Sequence, residues 1–191
     1  KDSHMHTLRL TCLSLFAAVL SGLSACSTAP KAENQESFID ESRTATRWFE
    51  RQVPGLRQQI DNSAGYLIYP EVGQWGIIFG GGQYGRAMVN RPNGTQIGWG
   101  ALNTGSIGLQ AGVRGFKMLV VIQDEETMNK FRANKLSGSV SGVVVVAQEG
   151  TSGVGRFENG VAVYQGASSG LMAGVNVALD YLRYVPLDSA E

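Results

Sequence analysis

The stretch GGGQYGRAM, Gly80–Met88, decides how the middle of the chain is interpreted. Its glycines reproduce the G-x-G-x-x-G spacing of a dinucleotide-binding turn. Such a turn follows a strand, opens a helix and needs an acidic side chain ~20 residues later. Here the glycines run on into a strand-like segment, and Leu102 and Asn103 stand where the acid would be. The stretch therefore predicts a tight strand connection and not a nucleotide site.

Segments with the pattern of short β-strands surround this stretch. Ile97, Trp99 and Ala101 alternate with glycines, so one face of the predicted strand is apolar and the other is bare. A strand with a bare face can bend sharply or let another backbone approach closely. Long crossover helices are missing, which favours antiparallel pairing. We predict an α+β fold with a strongly curved, mainly antiparallel, glycine-rich sheet or barrel-like β domain.

Two helical regions complete this prediction. Residues 37–62 form an N-terminal helical segment with Ser37 as its cap and Pro54 starting a second short helix after a break. Its predicted buried stripe consists of Ile39, Ser42, Thr46, Phe49, Val53, Leu56 and Ile60. The segment DEETMNKFRANK predicts one short inserted helix, with Asp124 as its cap.

The N-terminal part of the sequence is typical of an exported protein. We interpret residues 1–4 as a tag remnant and residues 5–25 as a signal peptide, because a basic start precedes a short apolar run. That run is shorter than the ~20 residues that a membrane-spanning helix needs. One interpretation of this segment is an ordinary signal peptide that Cys26 follows by chance.

The segment LSAC, which ends at Cys26, resembles a bacterial lipobox. The resemblance implies that Cys26 is acylated and becomes the N-terminus, with 26–36 as a lipidated tether, a single domain over 37–186 and a tail over 187–191. No aspartate follows the cysteine, which by the same resemblance implies the bacterial outer membrane, with the domain facing the periplasm or the cell surface.

The composition excludes several classes of function. Lys+Arg and Asp+Glu number 16 each, whereas a nucleic-acid-binding domain is strongly basic. Both histidines and Cys12 precede Cys26, so the processed chain would lack the side chains of a zinc site or a Ser-His-Asp triad. We therefore predict a protein without metal or cofactor that is not an enzyme; carboxylate chemistry is the main enzymatic alternative.

Four arginines are the first candidate binding residues. Arg43, Arg47 and Arg51 lie four residues apart and share a helical face, which Arg57 extends. This arrangement suits the anionic headgroups of lipids. The alternative is a solvated face whose charge is absorbed by ion pairs, Asp40 with Arg43 and Arg47 with Glu50.

Three further cations and a tryptophan are secondary candidates. Lys130, Arg132 and Lys135 suit phosphate groups, but they equally suit the C-terminus of the inserted helix. Trp48 lies beside the arginines and is a candidate for a membrane interface, whereas Trp99 is predicted to lie in the core.

The motifs AGYLIYPEV, GIIFGGGQYGRAMV, GSIGLQAGV, VVIQDEETMNKFRANK and GLMAGVNV, in this order, resemble the SYLF-domain family of lipid-binding proteins. The resemblance runs from about Phe49 to Val185 and is to the bacterial lipoprotein branch. It implies a membrane-attached protein that binds an anionic phospholipid or a phosphoinositide-like ligand; eukaryotic relatives also bind actin. The alternative is a structural or adaptor lipoprotein that binds a protein partner without recognising lipid.

Overall fold

A computed structural model describes residues 34–77, 80–106, 112–146, 151, 153–167 and 177–187. The predicted signal peptide, Cys26 and most of the tether lie outside the described residues, as do residues 188–191 of the tail. The helices are α1 (Gln35–Gln52), α2 (Leu56–Asp61) and α3 (Glu125–Arg132). The strands are β1 (Gly65–Ile77), β2 (Gly80–Asn90), β3 (Gln96–Ser106), β4 (Gly112–Ile122), β5 (Ser139–Val140), β6 (Val144–Val146), β7 (Val161–Ala167), β8 (Val177–Ala178) and β9 (Leu182–Pro186), with a 3-10 turn at Leu179–Tyr181.

Seven strands form one sheet in the order β6-β7-β4-β1-β2-β3-β9, and β5 pairs with β8 separately. All neighbours are antiparallel except β6 and β7, which run parallel. The prediction of an α+β fold with a mainly antiparallel sheet, an N-terminal helical segment and one inserted helix is confirmed. Of the two sheet forms considered, the described strands make an open sheet with β6 and β9 at its edges.

The glycines of the opening stretch lie inside strand β2. Gly80 pairs with Ile77, and Gly82 pairs with Trp75, so these glycines belong to the ladder between β1 and β2. The motif continues as strand to Asn90 and opens no helix. The prediction that these glycines form the connection itself was wrong, because their backbones extend the ladder with β1.

Strand β1 is covered on both of its faces, and this divides the core in two. Ile68 packs in the cluster that contains Phe49 of α1, whereas its neighbour Leu67 packs in the cluster that contains Phe131 of α3. Successive side chains of a strand point to opposite faces. Helices α1 and α3 therefore lie on opposite faces of the sheet.

The ends of the helical segment differ from the prediction. Helix α1 begins after Asn34, and Ser37 lies inside its first turns, where its hydroxyl donates to Glu41 at 3.3 Å. The break was predicted correctly, but Pro54 does not start α2. Gly55 precedes α2 with φ +84, a left-handed conformation that suits glycine. The predicted stripe is buried except for Ile39, which is half-buried.

Two strands carry irregularities that the alternation did not predict. Strand β1 passes through Pro70, with a register shift between Ile68 and Val72. A bulge tolerates proline because the extra residue need not donate to the ladder. A second shift, opposite Val89, skips Ile97, which packs on the α3 face, while Trp99 contacts Phe38 of α1. The prediction that Ile97 and Trp99 share a face was therefore wrong.

Aromatic side chains approach the bare glycine faces closely, whereas the prediction was the close approach of another backbone. The ring of Tyr184 lies directly on Gly98, and its hydroxyl donates to the carbonyl of Ile97 at 2.7 Å. On the other face, a Cβ at Gly166 would stand 2.6 Å from the ring of Trp48. Strands β3 and β7 thus accept aromatic rings at glycine positions where any side chain would exclude them.

Replacing Gly98 with alanine should destabilise the domain by about 1–3 kcal/mol, the usual cost of overpacking. The new methyl group would meet both the Tyr184 ring and the Val185 carbonyl oxygen, 2.8 Å away, and the latter belongs to a paired strand that cannot retreat. Chemical denaturation measures the loss. Gly153→Ala is the matched control, because a Cβ there meets nothing within 4 Å and its change should stay within about 0.5 kcal/mol. Equal effects of the two substitutions would contradict the close-approach argument.

Candidate functional site

Helix α1 presents three arginines to solvent on successive turns. Arg43, Arg47 and Arg51, which we call the arginine face, are all exposed. The opposite side of the helix buries Ala45 and Phe49 against the sheet. Because the buried side fixes the rotation of the helix, the three guanidinium groups project away from the domain together, as the four-residue spacing predicts.

The predicted neutralisation of these arginines is only partial. Arg43 pairs with Asp40 at 3.4 Å, but both side chains are largely exposed, and such pairs contribute little. Arg47 donates to the hydroxyl of Thr44 at 3.1 Å. Within the described part of the chain, neither Arg47 nor Arg51 takes part in an ion pair. The expected pair of Arg47 with Glu50 does not form.

Glu50 instead binds Arg57, which does not extend the arginine face. The Arg57 guanidinium lies 3.2 Å from Glu50, bonds to Asp61 and donates to the carbonyl oxygen of Pro92 at 2.6 Å. The hydrogen bond from Arg57 holds the pKa of Asp61 below its usual range, and the same bond raises the pKa of Arg57. Arg57 therefore ties α2 to the turn between β2 and β3.

Trp48 is a packing residue between α1 and the sheet. Its half-buried ring rests on Gly166, stands edge-on to Phe49 at 5.0 Å and lies 5.9 Å from the Lys117 ammonium. Little of the ring is left to insert into a membrane interface on its own. Trp99 is buried, as predicted.

The second set of cations lies on the α3 face of the sheet, away from the arginine face. Lys130 pairs with Glu126 at 2.7 Å, which raises the pKa of Lys130. Arg132 lies 5.7 Å from the Tyr184 ring, and Lys135 follows the helix end as an exposed side chain. Since the two helices cover opposite faces, the structure does not bring these cations and the arginine face into one site.

A cleft that the sequence analysis missed lies beside the N-terminal half of α1. Its volume is about 790 Å³. We call it the α1 cleft, and its main lining residues are Phe38, Glu41, Glu71, Tyr84, Arg86, Ala101, Tyr181 and Arg183. In the sequence, the only indication of this cleft was that Tyr and Arg stand two residues apart twice, at Tyr84 and Arg86 and at Tyr181 and Arg183. This spacing becomes meaningful only when β2 and β9 are known to belong to the same sheet.

The acidic side chains and the apolar character of the helices bear on the kind of site. In the described ranges, no three His, Cys, Asp or Glu side chains are placed to hold a metal ion together. The acidic run at Asp124 starts helix α3, as predicted, because its carboxylate accepts from the Thr127 backbone N–H at 2.8 Å. Among the helices described, none is both long and apolar enough to cross a bilayer.

Comparison of the chain with protein-family models and with curated proteins finds no match. The resemblance to SYLF domains thus stays a prediction that rests on the motifs quoted above.

Asp124→Ala should lower the free energy of unfolding by about 1 kcal/mol, because it removes the N-cap of α3. The hydrogen bond from the Thr127 backbone N–H holds the pKa of Asp124 below its usual range. The stabilisation is therefore present above the unfolded-state pKa of about 4 and is lost as pH falls through the lower folded-state pKa. Denaturation at pH 7 and pH 2.5 measures this, with Asp124→Asn as a control that retains a capping oxygen. A difference from Asp124→Ala that does not shrink between pH 7 and pH 2.5 would contradict the ionised cap.

Proposed function

We propose that this chain is a lipid-anchored protein of the bacterial outer membrane whose domain binds anionic lipid without catalysing a reaction. Acylated Cys26 would attach the chain, and the arginine face would contact the headgroups. The observation that carries the proposal is the arginine face itself, three exposed guanidinium groups on successive turns, two of them without an ion pair among the described residues. The SYLF resemblance of the sequence supports the same assignment.

The expected binding free energies are consistent with an acyl anchor that holds the chain and an arginine face that contacts headgroups. Each basic residue near an anionic membrane surface contributes about 1 kcal/mol, and salt screens the attraction. Three arginines alone would therefore bind weakly. A chain already held at the membrane by acyl groups meets its headgroups at high effective concentration, so weak contacts suffice to orient the domain.

An adaptor function is the second candidate, and the open sheet favours it. Strands β6 and β9 are edges in the described part of the sheet, and the unpaired backbone groups of an edge can accept a strand from a partner protein. This reading requires no lipid recognition by the domain.

Vesicle co-sedimentation of residues 28–191 tests the arginine face. Binding to anionic vesicles should exceed binding to neutral ones and should weaken between about 0.05 M and 0.3 M salt, because the screening length shortens. Changing Arg43, Arg47 and Arg51 together to Gln should reduce the partition coefficient by about tenfold or more. Phosphoinositide vesicles form a further arm that tests headgroup preference.

The control changes Lys130, Arg132 and Lys135 together to Gln. It removes the same charge from the opposite face of the sheet and should leave binding nearly unchanged. Equal losses in the two triple variants would show a response to net charge alone. Absence of binding to every vesicle would refute lipid recognition by the domain and favour the adaptor.

Cys26→Ser should abolish the incorporation of labelled palmitate in a bacterial host and move the protein out of the Triton X-114 detergent phase. Acylation needs the cysteine sulfur and the amino group that cleavage exposes. Cys12→Ser is the matched control, because Cys12 lies within the predicted signal peptide and should not affect labelling. Labelling that persists in the Cys26 variant would disprove the anchor.

A further inference from the structure

A row of three exposed side chains lies across the floor of the α1 cleft. Tyr84 of β2 pairs in register with Asn103 of β3. The ladder of β3 with β9 ends one residue before Asn103, at the pair Leu102 and Leu182. Tyr181 directly precedes Leu182, so it stands on the other side of Asn103. Because adjacent backbones are ~4.8 Å apart, the backbones of the two tyrosines are about 10 Å from each other. All three side chains line the cleft.

The aromatic rings of the cleft are exposed although they are held in place. The Tyr84 ring reaches across to β1 and covers the backbone of its register partner Gly73, where a Cβ would collide with it. Even so, Tyr84 is 57 % exposed, and Tyr181 is 42 % exposed. On the α1 side, the half-buried Phe38 ring is fixed edge-on against Trp99 at 5.9 Å. Rings that are restrained before binding lose little entropy when a ligand covers them.

The polar groups of the cleft do not share one charge. Arg183 lines the cleft from β9, Glu41 lines it from α1, and Asn103 supplies a neutral carboxamide between the tyrosines. In the described ranges, neither Asn103 nor Arg183 uses its side chain in a hydrogen bond or an ion pair. A charged ligand would be attracted by one of Arg183 and Glu41 and repelled by the other. A hydroxyl group both donates and accepts, so a neutral ligand with several hydroxyl groups can satisfy all three side chains.

The floor of the cleft is the face of a sheet, and this limits how a ligand can be recognised. The backbone N–H and C=O groups of β2 and β3 are used in the ladders with their neighbours. A peptide that adds to a sheet is held by main-chain hydrogen bonds at an edge, and such bonds are not offered here. Recognition therefore depends on side chains. The cleft volume of about 790 Å³ lies within the range of small-molecule sites, roughly 300–1,000 Å³.

We propose that the α1 cleft binds a neutral oligosaccharide, with two linked pyranose rings along the row from Tyr84 to Tyr181. A disaccharide is about as long as the separation of these two tyrosines, so each sugar ring can contact one aromatic ring. The C–H groups on the face of a pyranose carry partial positive charge and are attracted by the negative face of an aromatic ring. The sugar hydroxyl groups bond to Asn103, Arg183 and Glu41.

This site goes beyond the function proposed above, because it uses none of the residues of the arginine face and takes an uncharged ligand. Saccharide affinity should therefore be the same at about 0.05 M and 0.3 M salt, whereas salt screens the attraction of arginines to anionic vesicles. Failure of vesicle binding would leave the saccharide site unaffected, so the two proposals can fail separately.

The test is an NMR titration of the ¹⁵N-labelled full chain with four neutral disaccharides: cellobiose, maltose, lactose and N,N′-diacetylchitobiose. At least one of them should shift the backbone amides of Tyr84, Asn103 and Tyr181. The corresponding monosaccharide covers only one aromatic ring and should bind about tenfold more weakly. Sorbitol has the hydroxyl groups of a sugar without a ring face, and it should cause no shifts at these amides.

Substitutions separate the aromatic from the polar contribution. Tyr84→Ala and Tyr181→Ala should each weaken the tightest-binding disaccharide by about tenfold. Tyr84→Phe keeps the ring and should bind within about threefold of the unaltered chain, and Asn103→Ala should weaken binding by about fivefold through loss of a hydrogen bond. Val154→Ala is the matched control, because Val154 is 45 % exposed but does not line the cleft, and it should leave binding unchanged.

Three results would overturn the proposal. The first is the absence of shifts at the cleft amides with all four disaccharides while the dispersed spectrum shows a folded chain. The second is disaccharide binding that both tyrosine-to-alanine substitutions leave unchanged. The third is equal shifts with sorbitol, which would show a general response to hydroxyl groups.

Discussion

The burial of β1 and β4 on both faces is the constraint on which the rest of the structure depends. These two adjacent strands sit at the centre of the sheet, and each has a run of fully buried residues, 67–69 in β1 and 119–122 in β4. Because both faces of these strands are buried, other elements must pack on each face of the sheet. Helices α1 and α2 pack on one face, and α3 with the segment around β5 and β8 packs on the other. The exposed surfaces of the sheet lie where these packed elements end.

The positions of the candidate surfaces follow from this arrangement. Helix α1 lies over β1 and β4 and docks through Ala45 and Phe49, so its arginines point outward. The outer strands β2, β3 and β9 extend past the helix on the same side, and their uncovered face forms the floor of the α1 cleft. The cations of α3 are on the other side and serve a different surface.

Glycine makes this packing possible at two points. Tyr184 lies on Gly98 on one face, and Trp48 lies on Gly166 on the other. In each case an aromatic ring takes the volume that side chains would normally occupy, which brings a strand or a helix close to the backbone of the sheet. At these two positions the glycines are thus used for packing within strands.

Local sequence patterns were sufficient to predict the helices and strands of this fold, but not how its surface side chains are arranged. The sequence by itself determined the two helical regions, the Asp124 cap, the antiparallel class and the exposure of Arg43, Arg47 and Arg51, because these depend on neighbours within a few residues. Only the tertiary structure decided that Glu50 binds Arg57 and not Arg47, and that Ile97 leaves the face of Trp99. It also decided that Arg86 and Arg183 both pair with Ala101, from either side of β3. Those outcomes depend on strand order and on bulges, which are fixed by packing between residues far apart in the chain.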